Sequence, residues 1–149
     1  QQRSYEQDPL FGLTVLSEIS SRALSPGVND PGTAIDVIMR LNALLWDYAT
    51  ARQQESDPGA RDVLMPVVPP ERLIDAAFAA TARDGAGLVE VCKNLRMALR
   101  SLSRIDDPAM QAQIQLLAHR AMDHARSAGL KDHEITHLME INIPARTED

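Results

Sequence analysis

Aromatic residues are scarce, at 3% of 149: Tyr5, Phe11, Trp46, Tyr48 and Phe78 are all of them. So few rings leave little to stack on bases or sugars. Cys92 is the single cysteine, which excludes an intrachain disulfide and a Cys-rich zinc site. No apolar run approaches the roughly 18 residues that a bilayer-spanning helix needs. Positive charge is also short, since 15 Lys and Arg face 21 Asp and Glu, for a net charge of -6 and a pI near 5.1. Phosphate-backbone binding requires a basic surface, so nucleic acid is not an expected partner. A glycine-rich phosphate loop is missing too, because Gly85 and Gly87 alone do not make one. The chain opens on Gln1-Gln2-Arg3, with no Met and no signal-like segment, and is expected to be a fragment or a processed product.

What is present fits a folded domain: 44% hydrophobic and 24% charged residues are ordinary globular values. The punctuation is Asp-Pro, at Asp8-Pro9, Asp30-Pro31, Asp57-Pro58 and Asp107-Pro108. Aspartate caps a helix by accepting an orphan N–H, and proline suits the first helical position. Three of the pairs precede helical patterns, whereas Asp57-Pro58-Gly59 is expected to be a loop. The pattern predicts helices over about Pro9–Leu24, Pro31–Arg52, Pro70–Arg83, Leu88–Ser103, Pro108–Ser127 and Asp132–Ile141. The fold class is therefore all-α, a five- to six-helix bundle-like single domain over 1–149. Residues 53–69 are expected to form a long internal connection and 144–149 a loose tail. In the second helix Val37, Ile38, Leu41, Leu45 and Tyr48 form one apolar stripe, and Ile35, Met39 and Trp46 form another. A helix with two apolar sides is central or lies at a subunit interface.

Four groups of residues are candidates for function. His133-Glu134-Ile135-Thr136-His137 matches H-E-x-x-H, the pattern that puts two imidazoles on one helical face with Glu as general base. A third ligand would have to be Glu140 or a tail carboxylate. The helical wheel, however, puts Ile135, Leu138 and Met139 on the core face and His133, His137 and Glu140 on the solvated one. A catalytic zinc needs a shaped, partly dry pocket, so no metal or other cofactor is expected. Lys93, Arg96, Arg100 and Arg104 fall on one side of the fourth helix, opposite Val91, Cys92, Leu95, Leu99 and Leu102. They form either a solvated face or a cationic strip suited to lipid headgroups or an acidic partner. Cys92, on the core face, is expected to act as a small hydrophobe.

The fourth group is the segment S-P-G-V-N-D-P-G-T, Ser25 to Thr33. As a connector, Gly27 can take a positive φ, Asn29 can close an Asx-turn and Asp30 can cap the next helix, backed by Thr33. As a site, Ser25, Asn29 and Thr33 with the helix N–H groups can hold an anion or a chain end. A binding role would require Asn29 and Asp30 to be buried, or bonded beyond ordinary capping.

The stretches Q-R-S-Y-E-Q-D-P-L-F-G-L and L-S-E-I-S-S-R-A-L-S-P-G-V-N-D-P-G-T-A-I-D-V-I closely resemble a bacterial family of predicted membrane proteins, domain of unknown function 2254. The resemblance is dense from about Arg3 to Ile38. The positions that carry it include Gln7, Asp8, Pro9, Gly12, Arg22, Ala23, Leu24, Ser25, Pro26, Asn29, Asp30, Pro31, Thr33 and Ala34. It implies a soluble C-terminal region following several transmembrane helices, located at the cell membrane on the cytoplasmic side. It implies no activity. The expected function is accordingly an assembly or regulatory module, partnered by the membrane part of its own chain and forming a homo-oligomer. The alternatives are a metal-dependent hydrolase built on H-E-I-T-H and a gating domain of a channel or transporter.

Overall fold

Six helices account for most of the computed structural model, which describes residues 9–55 and 68–146. They are α1 (Pro9–Ala23), α2 (Pro31–Glu55), α3 (Pro70–Asp84), α4 (Val89–Leu102), α5 (Pro108–Ser127) and α6 (Asp132–Met139), with no strand among the described residues. The all-α bundle is as the periodicity predicts. The Asp-Pro starts act as expected where they are described. Asp107 caps α5 by accepting from the Met110 N–H at 3.0 Å, and Asp30 caps α2 by accepting from the Thr33 N–H at 3.0 Å. Gly129, at φ +93°, closes α5 in the left-handed region that glycine tolerates.

Some boundaries move. α2 continues to Glu55, three residues beyond the expected end, so the connection expected over 53–69 starts later. Most of that connection, with Asp57-Pro58-Gly59, lies outside the described residues, as does the end of the tail. α4 and α6 are shorter than expected. On α6, Ile135 and Leu138 are buried but Met139 is half exposed, because a helix of barely two turns turns only one narrow edge to the bundle.

Helix α3 is central, packing on α1 and α5, while α2 lies against α1 and α4. The main core combines residues from α1 to α5, with Leu41, Leu73, Ile74, Phe78, Leu99, Leu102 and Ile114 almost wholly buried, and it reaches Ile143 near the C-terminus. Burying a side chain such as Phe78 contributes about 1.5–3 kcal/mol. A second, smaller cluster, Met122, Ala125, Ile135 and Leu138, joins α6 to the end of α5.

Hydroxyl groups cross the α1–α3 seam. Thr81, fully buried on α3, donates its Oγ1–H to Ser20 Oγ of α1 at 2.8 Å. One residue on, the Ser21 hydroxyl donates to Asp84. Arg83 grips the same carboxylate at 2.8 and 3.2 Å. Together Arg83 first, and Ser21 after it, hold the Asp84 carboxyl below the usual carboxylate range. The chain leaves α3 through Gly85, where a Cβ would sit 2.5 Å from Val91 Cγ1 and 3.0 Å from the Thr81 carbonyl oxygen. No side chain fits there, which explains glycine at this turn.

The C-terminal end is fastened differently. Long side chains reach across to backbone carbonyls: Arg96 Nε–H donates to Ile141 O at 2.8 Å, and Gln115 donates to both Ile143 O and Pro144 O at 3.1 Å. Gln111 likewise satisfies Ser103 O and Ile105 O, at 3.2 and 2.8 Å, where α4 has ended.

Candidate functional site

The Ser25–Thr33 turn is an exposed and fully explained connector. The Asp30 N–H reaches back to Ala23 O at 2.7 Å and the Asn29 N–H to Ser25 O at 2.8 Å, closing the end of α1. The Ser25 hydroxyl donates to Arg22 O at 2.7 Å. Thr33 donates twice to Asp30, from its N–H and, at 2.6 Å, from its hydroxyl. These two bonds, the hydroxyl first, hold the Asp30 carboxyl below its ordinary range. Asn29 and Asp30 are both exposed, and every bond they make closes or caps a helix. The condition set for a binding role is therefore not met. The left-handed residue is Asn29, at φ +46°, rather than Gly27, and an Asx-turn does not form. Asparagine tolerates this region better than any other residue with a Cβ.

The cationic strip on α4 loses a member. Lys93, Arg100 and Arg104 are exposed, but Arg96 is half buried and turned toward the C-terminal segment. Burial also lowers its pKa, since the charged form is the one that burial penalises. Arg96 sits at the edge of the strip nearest α5, and the Ile141 carbonyl draws it off the surface.

The H-E-I-T-H residues do not converge. Glu134, the would-be general base, accepts from the Lys131 N–H at 2.8 Å and so helps cap α6. His137 Nδ1 lies 3.1 Å from Glu140, both on the open surface, and His133 is exposed. Among the described residues no group of three His, Cys, Asp or Glu side chains is arranged to hold a metal ion. Cys92 is half buried and its thiol is pushed up to about 11, chiefly by burial. Burial thus favours the neutral thiol over the thiolate.

Two apolar surfaces remain uncovered on α2. Its core stripe is buried at Val37, Ile38, Leu41 and Leu45, with Tyr48 half buried. On the outer face Met39 is 62% exposed and Trp46 39%, with Ile35 half buried beside them. Gln53, two turns beyond Trp46 on the same side, donates to Asp106 O just past the end of α4, at 3.4 Å. That bond shows which side of α2 faces α4. On the opposite side Leu44, Leu45 and Tyr48 join Pro9, Gly12, Leu13 and Leu16 of α1, with Leu73, around a groove of about 360 Å³.

Sequence reasoning missed the hydroxyl seam and the carbonyl-capturing glutamines. Ser17 and Ser20 stand three apart inside an apolar stripe, a spacing that puts them on the buried face of α1. Arg96 and Gln115 gave no comparable signal.

The arrangement is thus an all-helical bundle with no group of three His, Cys, Asp or Glu side chains placed to hold a metal among its described residues, and with uncovered apolar surface on α2. The family model described as Predicted membrane protein (DUF2254) matches residues 1–101, and the chain belongs to that family. The match covers α1 to α3 and all but the last residue of α4, while α5 and α6 lie beyond it. Similar proteins include the uncharacterized protein Rv1290c of Mycobacterium tuberculosis and the uncharacterized protein Mb1321c of Mycobacterium bovis, each 49% identical over 43 residues. Those residues are 29% of this chain and only 8% of either relative. No solved structure matches the chain. Among the described residues no helix is long and apolar enough to cross a membrane.

Proposed function

We propose that this chain is an extramembranous, non-catalytic module of a membrane protein, and that it assembles the protein by pairing with a second copy of itself through the outer face of α2. The observation that carries the reading is the apolar strip on that face. α2 has already buried a full stripe in its own core, and Met39, at 62%, and Trp46, at 39%, still expose apolar surface beside the half-buried Ile35. Exposed single hydrophobes are common, but an aligned strip on the longest helix has the character of an interface core. Membership of a family of predicted membrane proteins supports placing the module beside a bilayer.

The charges flanking the strip favour a second copy as the occupant. On the α4 side stand Lys93, Arg100 and Arg104, all exposed; on the other side stand Asp36 and Asp47, with Arg40 between them. A two-fold axis running along α2 brings the basic flank of one copy onto the more acidic flank of the other. An axis across the helix would instead face like flanks together. Trp46 is the chain's single tryptophan and reports directly on this face. Its fluorescence emission should shift to the blue as protein concentration rises. Emission that stays constant over the whole range would count against self-association.

A further inference from the structure

We propose that the cleft between α4, α5 and the C-terminal segment binds a phosphate group, with Arg96 and Arg126 as its charged contacts. The cleft has a volume of about 170 Å³ and is lined by Arg96, Gln115, His119, Met122, Arg126 and Ile143, among others. It lies apart from the α2 face and from the Ser25–Thr33 turn, and the proposal stands independently of self-association.

Arg96 sets the argument. Its guanidinium is half buried, and its one hydrogen bond, through Nε, goes to a neutral carbonyl, Ile141 O. No carboxylate among the described residues pairs with it. A partly desolvated cation without a counter-charge is costly, and the outer edge of its fork is left for a ligand. At the other side of the cleft Arg126 is held by Asp123 at 3.2 Å, and His119 lies 3.8 Å from the same carboxylate. Asp123 therefore offsets Arg126, and the cleft keeps the charge of Arg96 as its surplus. Guanidinium groups match the paired oxygens of phosphate. Gln115 spends both amide N–H groups on Ile143 O and Pro144 O, so the arginines carry the recognition, while Met122 and Ile143 give an apolar floor for whatever the phosphate is attached to.

The same chemistry has two sources, a free phosphate and a phosphate-bearing lipid headgroup, which two arms of one experiment separate. In the first, the 149-residue chain is titrated with inorganic phosphate at constant ionic strength while the Arg Nε–H signals are followed by NMR. In the second, its co-sedimentation with phosphatidylcholine vesicles is compared with and without phosphatidic acid. Saturable movement of the Arg96 signal assigns a free phosphate; binding only to vesicles containing phosphatidic acid assigns a headgroup. In either case Arg126→Gln, which leaves the Arg96–Ile141 bond intact, should weaken binding about tenfold, the effect of losing one charge-assisted contact. Arg96→Lys keeps the charge, loses the fork and should weaken it at least as much. Lys93→Gln, on the open face of α4, should bind as wild type. The proposal is overturned if neither arm shows saturable binding, or if Lys93→Gln weakens it as much as Arg126→Gln.

Discussion

The α1–α3 seam and the C-terminal end are fastened to the same bundle by opposite means. The seam is closed by short side chains, Ser20 against Thr81 and Ser21 against Asp84, and at its end Gly85 has no room for a Cβ between Val91 of α4, the Thr81 carbonyl and Leu24. The C-terminal end is held at reach, by Arg96 and Gln115 extending to the carbonyls of Ile141, Ile143 and Pro144, over a small separate apolar cluster. Short contacts tolerate no change of volume, whereas long side chains can let go one at a time. The seam should therefore govern global stability and the C-terminal end local opening. The family match follows the same division, since it includes the whole seam and stops before α5.

The largest expected effect comes from Gly85→Ala. The added methyl would sit 2.5 Å from Val91 Cγ1, and overpacking of this kind costs about 1–3 kcal/mol. Two residues on, Gly87→Ala meets nothing nearer than Ala128 Cβ at 3.9 Å and should leave stability nearly unchanged. Urea denaturation of the pair checks this, and equal effects would dissolve the claim of a tight seam. Thr81→Val comes next: it removes the donor to Ser20 inside the core and should cost about 1 kcal/mol. In the double variant with Ser20→Ala the losses should be less than additive, because the pair is removed together. Strict additivity would mean that the two hydroxyls do not couple. The smallest global effect belongs to Gln115→Leu, expected within about 0.5 kcal/mol of wild type. Hydrogen exchange should nevertheless quicken at residues 141–146 alone. A large loss of global stability in that variant would erase the distinction between the two regions.

Much of the fold was legible because it is governed by local chemistry. Asp107-Pro108 predicts the start of α5, and its bounds, Pro108–Ser127, are those of the structure. The inward face of α4 follows from helical period alone: Val91, Leu95, Leu99 and Leu102 are buried and Cys92 is half buried. The candidate sites were less legible because burial of a polar side chain depends on partners far along the chain. Arg96 belongs to the α4 strip by spacing and leaves it for a carbonyl 45 residues away. The Ser25–Thr33 turn misled in the other direction. Its density of Asn, Asp and Thr looks like a site, yet those groups are consumed in closing α1 and opening α2. In the same signature stretch, Ser20 and Ser21 make the contacts that reach another helix.

The central claim, pairing through α2, is tested most directly by light scattering on the 149-residue chain and its Met39→Glu variant over a range of concentrations. Met39 is 62% exposed, so glutamate there should leave the fold intact while placing charge in the proposed interface. The account predicts that wild type approaches twice the 16.4 kDa mass of one chain as concentration rises, and that Met39→Glu stays at the single-chain mass. A wild-type chain that remains single at every concentration, or a dimer that Met39→Glu leaves unchanged, would contradict it.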